Sequence, residues 1–278
     1  MTGPERKSAW PAAAVLAVLT ATVVAAPATA SPDGTSAGRE APSATRPTSA
    51  PSGVEIELPG LGGPGAGGAL KWLALITLLS VAPAVAVLVT SFTRIIVVLG
   101  LLRQALGTAQ TPPNQVLFGL ALLMTVAVMS PVGLEVHREA IGPYLAGERS
   151  APQALAAAER PVRAFMIRQI DAAGNDADVR PFLPKELRGR WSEMTWGDVP
   201  TLSLLPGFVI SELKVAFTIG FRIFLPFLIV DLLVASVLTS MGMLMLPPVL
   251  ISLPFKLLLF VLADGWHLVV ETLMAGFA

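Results

Sequence analysis

The chain has 278 residues, no net charge, 54% hydrophobic and only 14% charged residues, and a mean hydropathy of +0.70. A soluble domain has about 25% charged residues, so this is a membrane protein, and the lack of any basic tract argues against nucleic acid as a partner. There is no cysteine and only His137 and His267, which excludes disulfides, thiolate chemistry and a histidine-rich metal centre; no cofactor is expected.

Arg6 and Lys7 precede an apolar stretch from about Ala12 to Ala26, and Ala28-Thr29-Ala30 forms a small-residue cleavage site. The pattern predicts a signal peptide over residues 1–30, cut between Ala30 and Ser31. The competing reading is a signal anchor that stays in place. Residues 31–69 are rich in Pro, Gly, Ser, Ala and Thr and read as a disordered linker. Gly63 to Gly68 satisfies the GxGxxG spacing, but no strand precedes it and Pro64 interrupts it, so a dinucleotide site is rejected.

Four long apolar regions follow. The first runs from Leu70 to about Val89 and on past Arg94 to Leu102, with Pro83 inside it. The second is Val116 to Leu134, free of charge. The third is Leu202 to Val230, and the fourth runs from about Val249 to Leu262 and into Asp264, His267 and Glu271. Each is near the roughly 20 residues that a helix needs to cross a bilayer. The predicted fold is all-α and polytopic: a first membrane hairpin over 70–134, a helical polar segment over 135–201, and a second hairpin over 202–278. With Ser31 outside, the Arg94–Gln115 connection is inside and carries two arginines, as the positive-inside rule expects. The polar segment is then periplasmic, with a helical stretch such as Gln153 to Ile170. The 231–247 connection is inside; it carries only Asp231 and gives that rule no support.

The charges inside these regions need partners. Arg94, Arg103, Glu212, Lys214, Arg222, Asp231, Lys256 and Asp264 all lie in or beside apolar sequence. An arginine at the bilayer centre costs about 2.5–3.5 kcal/mol. Glu212, Lys214 and Arg222 have no opposite charge at i+3 or i+4. Left bare they would together cost roughly 8–10 kcal/mol. Contacts to other segments, within a multi-helix assembly with a polar interior, are the expectation; snorkelling near a helix end is the bland reading for Lys214. Asp264, His267 and Glu271 share one predicted helix face, as a proton relay, a metal site or simple helix-end polarity. His137, between Glu135 and Glu139, reads as a solvated loop residue.

Val237 to Pro248, VLTSMGMLMLPP, joins the third and fourth regions. Met241, Met243 and Met245 alternate around Gly242 and before Pro247-Pro248, which predicts a bent, soft, apolar strip. Such a strip is either ordinary core filling or a surface that repacks around variable shapes.

Several long stretches resemble the FliP family of flagellar type III export-gate membrane subunits. They are TSFTRIIVVLGLLRQALGTAQTPPNQVL from Thr90, Phe165-Met166-Ile167-Arg168-Gln169, SELKVAFTIGF from Ser211, and Leu225 to Trp266. The resemblance covers nearly everything from Leu70 onward except about Ala172 to Thr195, and its wording fits the flagellar branch rather than the virulence-type SctR homologues. It implies a ring-like homo-oligomer joined by FliQ, FliR and other export-apparatus membrane proteins in the bacterial inner membrane at the flagellar basal body. It also implies that Met241, Met243 and Met245 form the gate through which unfolded flagellar proteins pass. Leu244 and Thr239 stand where methionine is common in the family, and Arg222 stands where an apolar residue is usual.

The function expected is a pore-forming structural subunit of a protein export machine, not an enzyme: no nucleotide motif, nucleophile–base pair or metal set is present. The alternative is a proton-coupled small-solute transporter with Glu212, Lys214 and Asp264 as a relay. It lacks the internal repeat that such transporters usually show. An intramembrane enzyme lacks the residues.

Overall fold

The computed structural model describes residues 66–108, 111–243 and 245–277. The signal peptide with Ala30 and Ser31, most of the linker, and Leu244 lie outside the described residues. Among the described residues the chain is all-α, without a strand. Its longer helices are α1 (Ala66–Leu88), α2 (Phe92–Ala105), α3 (Asn114–Val136), α4 (Ala151–Ala172), α5 (Thr201–Ser240), α6 (Pro248–Leu262) and α7 (Gly265–Ala275).

The first apolar region is two helices, not one. The chain breaks between Leu88 and Phe92, where Thr90 Oγ1 donates to the Val87 carbonyl at 3.2 Å and accepts from the Phe92 N–H at the start of α2 at 3.5 Å. α2 therefore begins as a separate rod and lays Phe92, Ile95, Val98, Leu99 and Leu102 in the core at helical spacing. This corrects the expectation that Arg94 belongs to a cytoplasmic connection: it is buried on the same face. A bilayer-facing arginine is costly, whereas one facing other helices can be paired.

α3 carries the second region and extends through a π-turn at His137–Ile141 to Leu145, so His137 is helical rather than in a loop. α4 starts at a capping box, in which Gln153 Oε1 accepts from the Ser150 N–H at 2.9 Å. It covers the predicted Gln153–Ile170 helix with two residues to spare at each end. The stretch after it, unpatterned in sequence, is a series of short turns that bury Val179, Leu183 and Val199.

α5 is the backbone of the molecule, 40 residues and roughly 60 Å long. The third region was expected to end near Val230; the helix runs on to Ser240 and absorbs Asp231 and most of the expected connection. Continuous apolar sequence with good helix formers gives it no reason to stop earlier, and Pro206 and Pro226 are accommodated inside it. It stops at Gly242, whose φ of +75° suits glycine alone. The Met243 N–H donates to the Leu238 carbonyl at 2.9 Å and the Gly242 N–H to the Thr239 carbonyl at 3.0 Å, a Schellman closure. Pro247 and Pro248 then start α6, where a missing N–H is harmless.

α6 and α7 meet at a bend of 65°. Asp264, at φ +49°, sits in the bend itself, so it does not share a helix face with His267 and Glu271. Among the described residues, two helical stretches are long and apolar enough to cross a membrane, Asn114–Leu145 and Thr201–Ser240, with a third if α6 and α7 count as one.

Two cores result. One joins α2, α3, the middle of α5, α6 and α7 through Leu99, Leu102, Ala121, Ala216, Phe227, Phe260 and Leu273. The other joins α4, the following turns and the start of α5 through Phe165, Met166, Ile170, Leu183, Leu204 and Phe208. α2 packs tightly on α5 where Gly220 faces Leu101; a Cβ there would lie 2.2 Å from the Leu101 Cδ1.

Candidate functional site

Arg94 lies between the two cores. Its Nε donates to Glu212 Oε2 at 2.9 Å and its Nη2 to Glu212 Oε1 at 2.5 Å. Nη2 also donates to Gln169 Oε1 at 3.1 Å, and Nη1 to the Gly276 carbonyl at 2.7 Å. The guanidinium sits 4.0 Å over the Phe277 ring, a cation–π contact. Side-chain exposure is 2% for Arg94 and 0% for Glu212. One fork-shaped cation thus ties α2, α4, α5 and the C-terminal turn after α7, which its planar donor set suits and a lysine would not.

A second pair, of a buried lysine and a half-buried aspartate, holds the second hairpin. Lys256 Nζ lies 2.7 Å from Asp231 Oδ2 and donates to the Ala105 carbonyl at 3.1 Å. Ser252 Oγ donates to Asp231 Oδ1 at 2.5 Å. Ala105 ends α2, so the ammonium also meets one of that helix's unsatisfied carbonyls. Both pairs satisfy each charge with several hydrogen bonds, the condition under which a buried ion pair is tolerated.

The remaining charges are at the surface. Lys214, 55% exposed, pairs with Asp178 from the turns after α4. It therefore faces the polar segment rather than lipid. Arg103 Nη1 donates to Asn114 Oδ1 at 2.5 Å across the α2–α3 connection. His267 and Glu271 stand 3.8 Å apart on the outer face of α7. Arg222 and Asp264 are exposed, and among the described residues neither forms an ion pair. Glu212, Lys214 and Asp264 are thus dispersed to three different surroundings.

Met241, Met243 and Met245 project from the turn between α5 and α6, exposed by 67%, 39% and 95%. They pack in neither core. Below them the outward faces of α5 and α6 expose Ile229, Leu232, Leu233, Val237, Leu250 and Leu258. Such an apolar expanse is far more than a soluble monomer tolerates.

Sequence reasoning flagged both members of each pair but missed Gln169, Ser252, Gly276 and Phe277. For Gln169 a signal exists: it falls between Met166 and Ile170 on the buried stripe of α4, where an amide needs a polar partner. Gly276 and Phe277 carry none, since a terminal turn has no periodicity to read.

The FliP family model matches residues 75–273. The chain is 48% identical over 211 residues to flagellar biosynthetic protein FliP of Bacillus subtilis (strain 168), covering 75% of this chain and 91% of that one. The protein of the same name from Caulobacter vibrioides is 48% identical over 231 residues, covering 82% and 83%. That of Pectobacterium carotovorum subsp. carotovorum is 50% identical over 208 residues, covering 75% and 78%. The matched span runs from α1 to α7 and includes both ion pairs and the methionine turn, so the chain belongs to the FliP family of flagellar biosynthetic proteins.

Proposed function

We propose that the chain is a pore-forming structural subunit of the flagellar type III protein export gate, without catalytic activity of its own. Copies of it assemble as a ring with FliQ, FliR and other export-apparatus membrane proteins in the bacterial inner membrane, and unfolded flagellar proteins pass through. In this reading residues 1–30 are removed, 31–69 form a linker, 135–201 face the periplasm, and 70–134 and 202–278 form the two membrane hairpins. Met241, Met243 and Met245 line the narrowest point, while Arg94, Glu212, Asp231 and Lys256 hold each subunit's shape.

The observation that carries this reading is the contrast between a charge-paired interior and an exposed thioether turn above wide apolar faces. Flexible thioethers seal against one another yet yield to a chain of any sequence. The transporter alternative needs a proton-accessible Glu212, but that carboxylate is fully buried and bidentate to Arg94. The test is the native mass and stoichiometry in mild detergent, with and without co-expressed FliQ and FliR. A defined oligomer that recruits both supports the gate; a stable monomer indifferent to both overturns it.

A further inference from the structure

Sulfur is distributed unevenly in this chain. There is no cysteine, and of the nine methionines all but Met1 lie among the described residues. Met124 and Met166 are buried in the two cores, and Met129, Met194 and Met274 pack against them. Met241, Met243 and Met245 stand exposed in the turn between α5 and α6 and belong to neither core. The thioethers open to a dissolved oxidant are therefore gathered in one short turn, and the chain carries no thiol to compete for it.

The turn does not depend on those side chains for its shape. Main-chain bonds close it: the Met241 N–H donates to the Val237 carbonyl at 3.1 Å, beside the two bonds of the Schellman closure. Gly242 supplies the left-handed φ, and Pro247 and Pro248 start the next helix. A change confined to the thioethers leaves this scaffold in place. In the cores the outcome is different, because a polar group on Met166 would be buried among Phe165, Leu204 and Phe208 at a cost in stability.

Little else at this tip draws water. No charged residue lies between Asp231 and Lys256. The Thr239 hydroxyl donates to the Ala235 carbonyl at 2.8 Å and the Ser240 hydroxyl to the Val237 carbonyl at 2.7 Å, so both donors are spent on their own helix. The thioethers thus set the polarity of the turn. A hydrophobic constriction closes to ions by excluding water. A sulfoxide replaces the flexible apolar thioether with a polar, chiral group, which reverses that property without altering the backbone.

We propose that Met241, Met243 and Met245 form an oxidative modification site, at which conversion to methionine sulfoxide wets the seal and reduction restores it. The inference rests on the reading of this turn as the narrowest point of the export gate, where the same sulfurs face the lumen. The co-reactant is a peroxide. A sulfur lone pair attacks one peroxide oxygen, and the S–O bond forms as the O–O bond breaks. The departing hydroxide takes the proton shed by the transferred oxygen, leaving sulfoxide and water, so two electrons pass from sulfur to peroxide. The return step takes two electrons from a pair of thiols, giving thioether, disulfide and water, through methionine sulfoxide reductases, one for each epimer.

The test exposes the full chain, in complex with FliQ and FliR in proteoliposomes, to dilute hydrogen peroxide. Peptide mass mapping should find Met241, Met243 and Met245 oxidised about tenfold faster than Met124, Met129, Met166 and Met274, with helicity unchanged. Release of trapped potassium ions should rise about tenfold as these sulfoxides accumulate, and fall back once the two reductases and a thiol are added. Oxidation of the turn and core methionines at equal rates overturns the site. Leakage that persists after the sulfoxides are reduced overturns the consequence, because damage elsewhere is then its cause. A triple variant, Met241→Ala with Met243→Ala and Met245→Ala, separates this inference from the reading beneath it. If the variant leaks without peroxide while the oxidised wild type stays tight, the gate stands and the oxidation proposal falls. If neither leaks, the gate reading falls as well.

Discussion

Both halves of α5 are apolar in sequence but they live in different surroundings. From Thr201 to Ala216 the helix buries Leu204, Phe208 and Glu212 against α4 and the turns that follow it. From Phe217 onward it presents Phe217, Phe221, Ile229, Leu232, Leu233 and Val237 outward. The same contrast divides its charges: Glu212 is locked to Arg94, while Arg222 is open. Hydropathy therefore marks what must leave water, but it does not distinguish a core from a lipid or subunit interface. Here the cover supplied by a polar segment makes the distinction.

The sharpest way to break the covered half is Glu212→Ala. It strands the Arg94 guanidinium without its anion, a loss of about 3–5 kcal/mol against a total stability of the order of 5–15 kcal/mol. Thermal unfolding in detergent, followed by circular dichroism, should show a large drop in midpoint. Arg94→Met combined with Glu212→Leu should recover most of it, since a buried pair replaced by apolar side chains of similar volume is often neutral. A double variant as unstable as the single one would mean that the pair is not the source.

Phe277→Ala should cost about 2 kcal/mol. Its ring covers the Arg94 guanidinium and packs against both cores. Amide exchange should quicken in α7 and in α2 together; quickening confined to α7 would show that the terminal turn does not couple the cores. At the half-exposed junction, Lys214→Ala should cost less than about 1 kcal/mol, and that cost should fade in high salt. A salt-independent loss would point instead to the buried, unpartnered Asp178 Oδ2.

The smallest effect lies in the turn that leads into α5. The Asp198 carboxylate accepts from the backbone N–H of Thr195 at 2.9 Å and from its hydroxyl at 2.7 Å. The backbone bond, then the hydroxyl, hold its pKa below the ordinary value of 3.8. A depressed pKa contributes stability above the unfolded value and loses it as pH falls through the folded one. Exchange of the Thr195 amide should therefore accelerate only below about pH 4, and Asp198→Asn should flatten that dependence.

Much of the fold was legible. Apolar stretches of the right length and the Pro247-Pro248 punctuation located α3 and α6 within a few residues, and the polar segment's predicted helix falls inside α4. The errors share a cause. Thr90-Ser91 looked like part of a continuous run because local hydropathy does not register a break that two helices pack around. Asp231 looked like loop because a lone acid in apolar sequence reads as exposure, yet Lys256 lies one helix away to neutralise it. The site was legible as a set of charges in need of partners, but not as pairs. Arg94 and Glu212 are separated by 118 residues, and nothing within either helix points to the other.

The amino-acid sequence by itself determined the membrane class, the helical composition, the methionine turn and the family, because these depend on local composition, periodicity and ordered motifs. Only the tertiary structure decided which charges are interior and which are open, because electrostatic pairing acts through space at a few ångströms. Whether Arg94 is stabilised or ruinous depends on Glu212, Gln169, Gly276 and Phe277 converging on it from α5, α4 and the C-terminal turn.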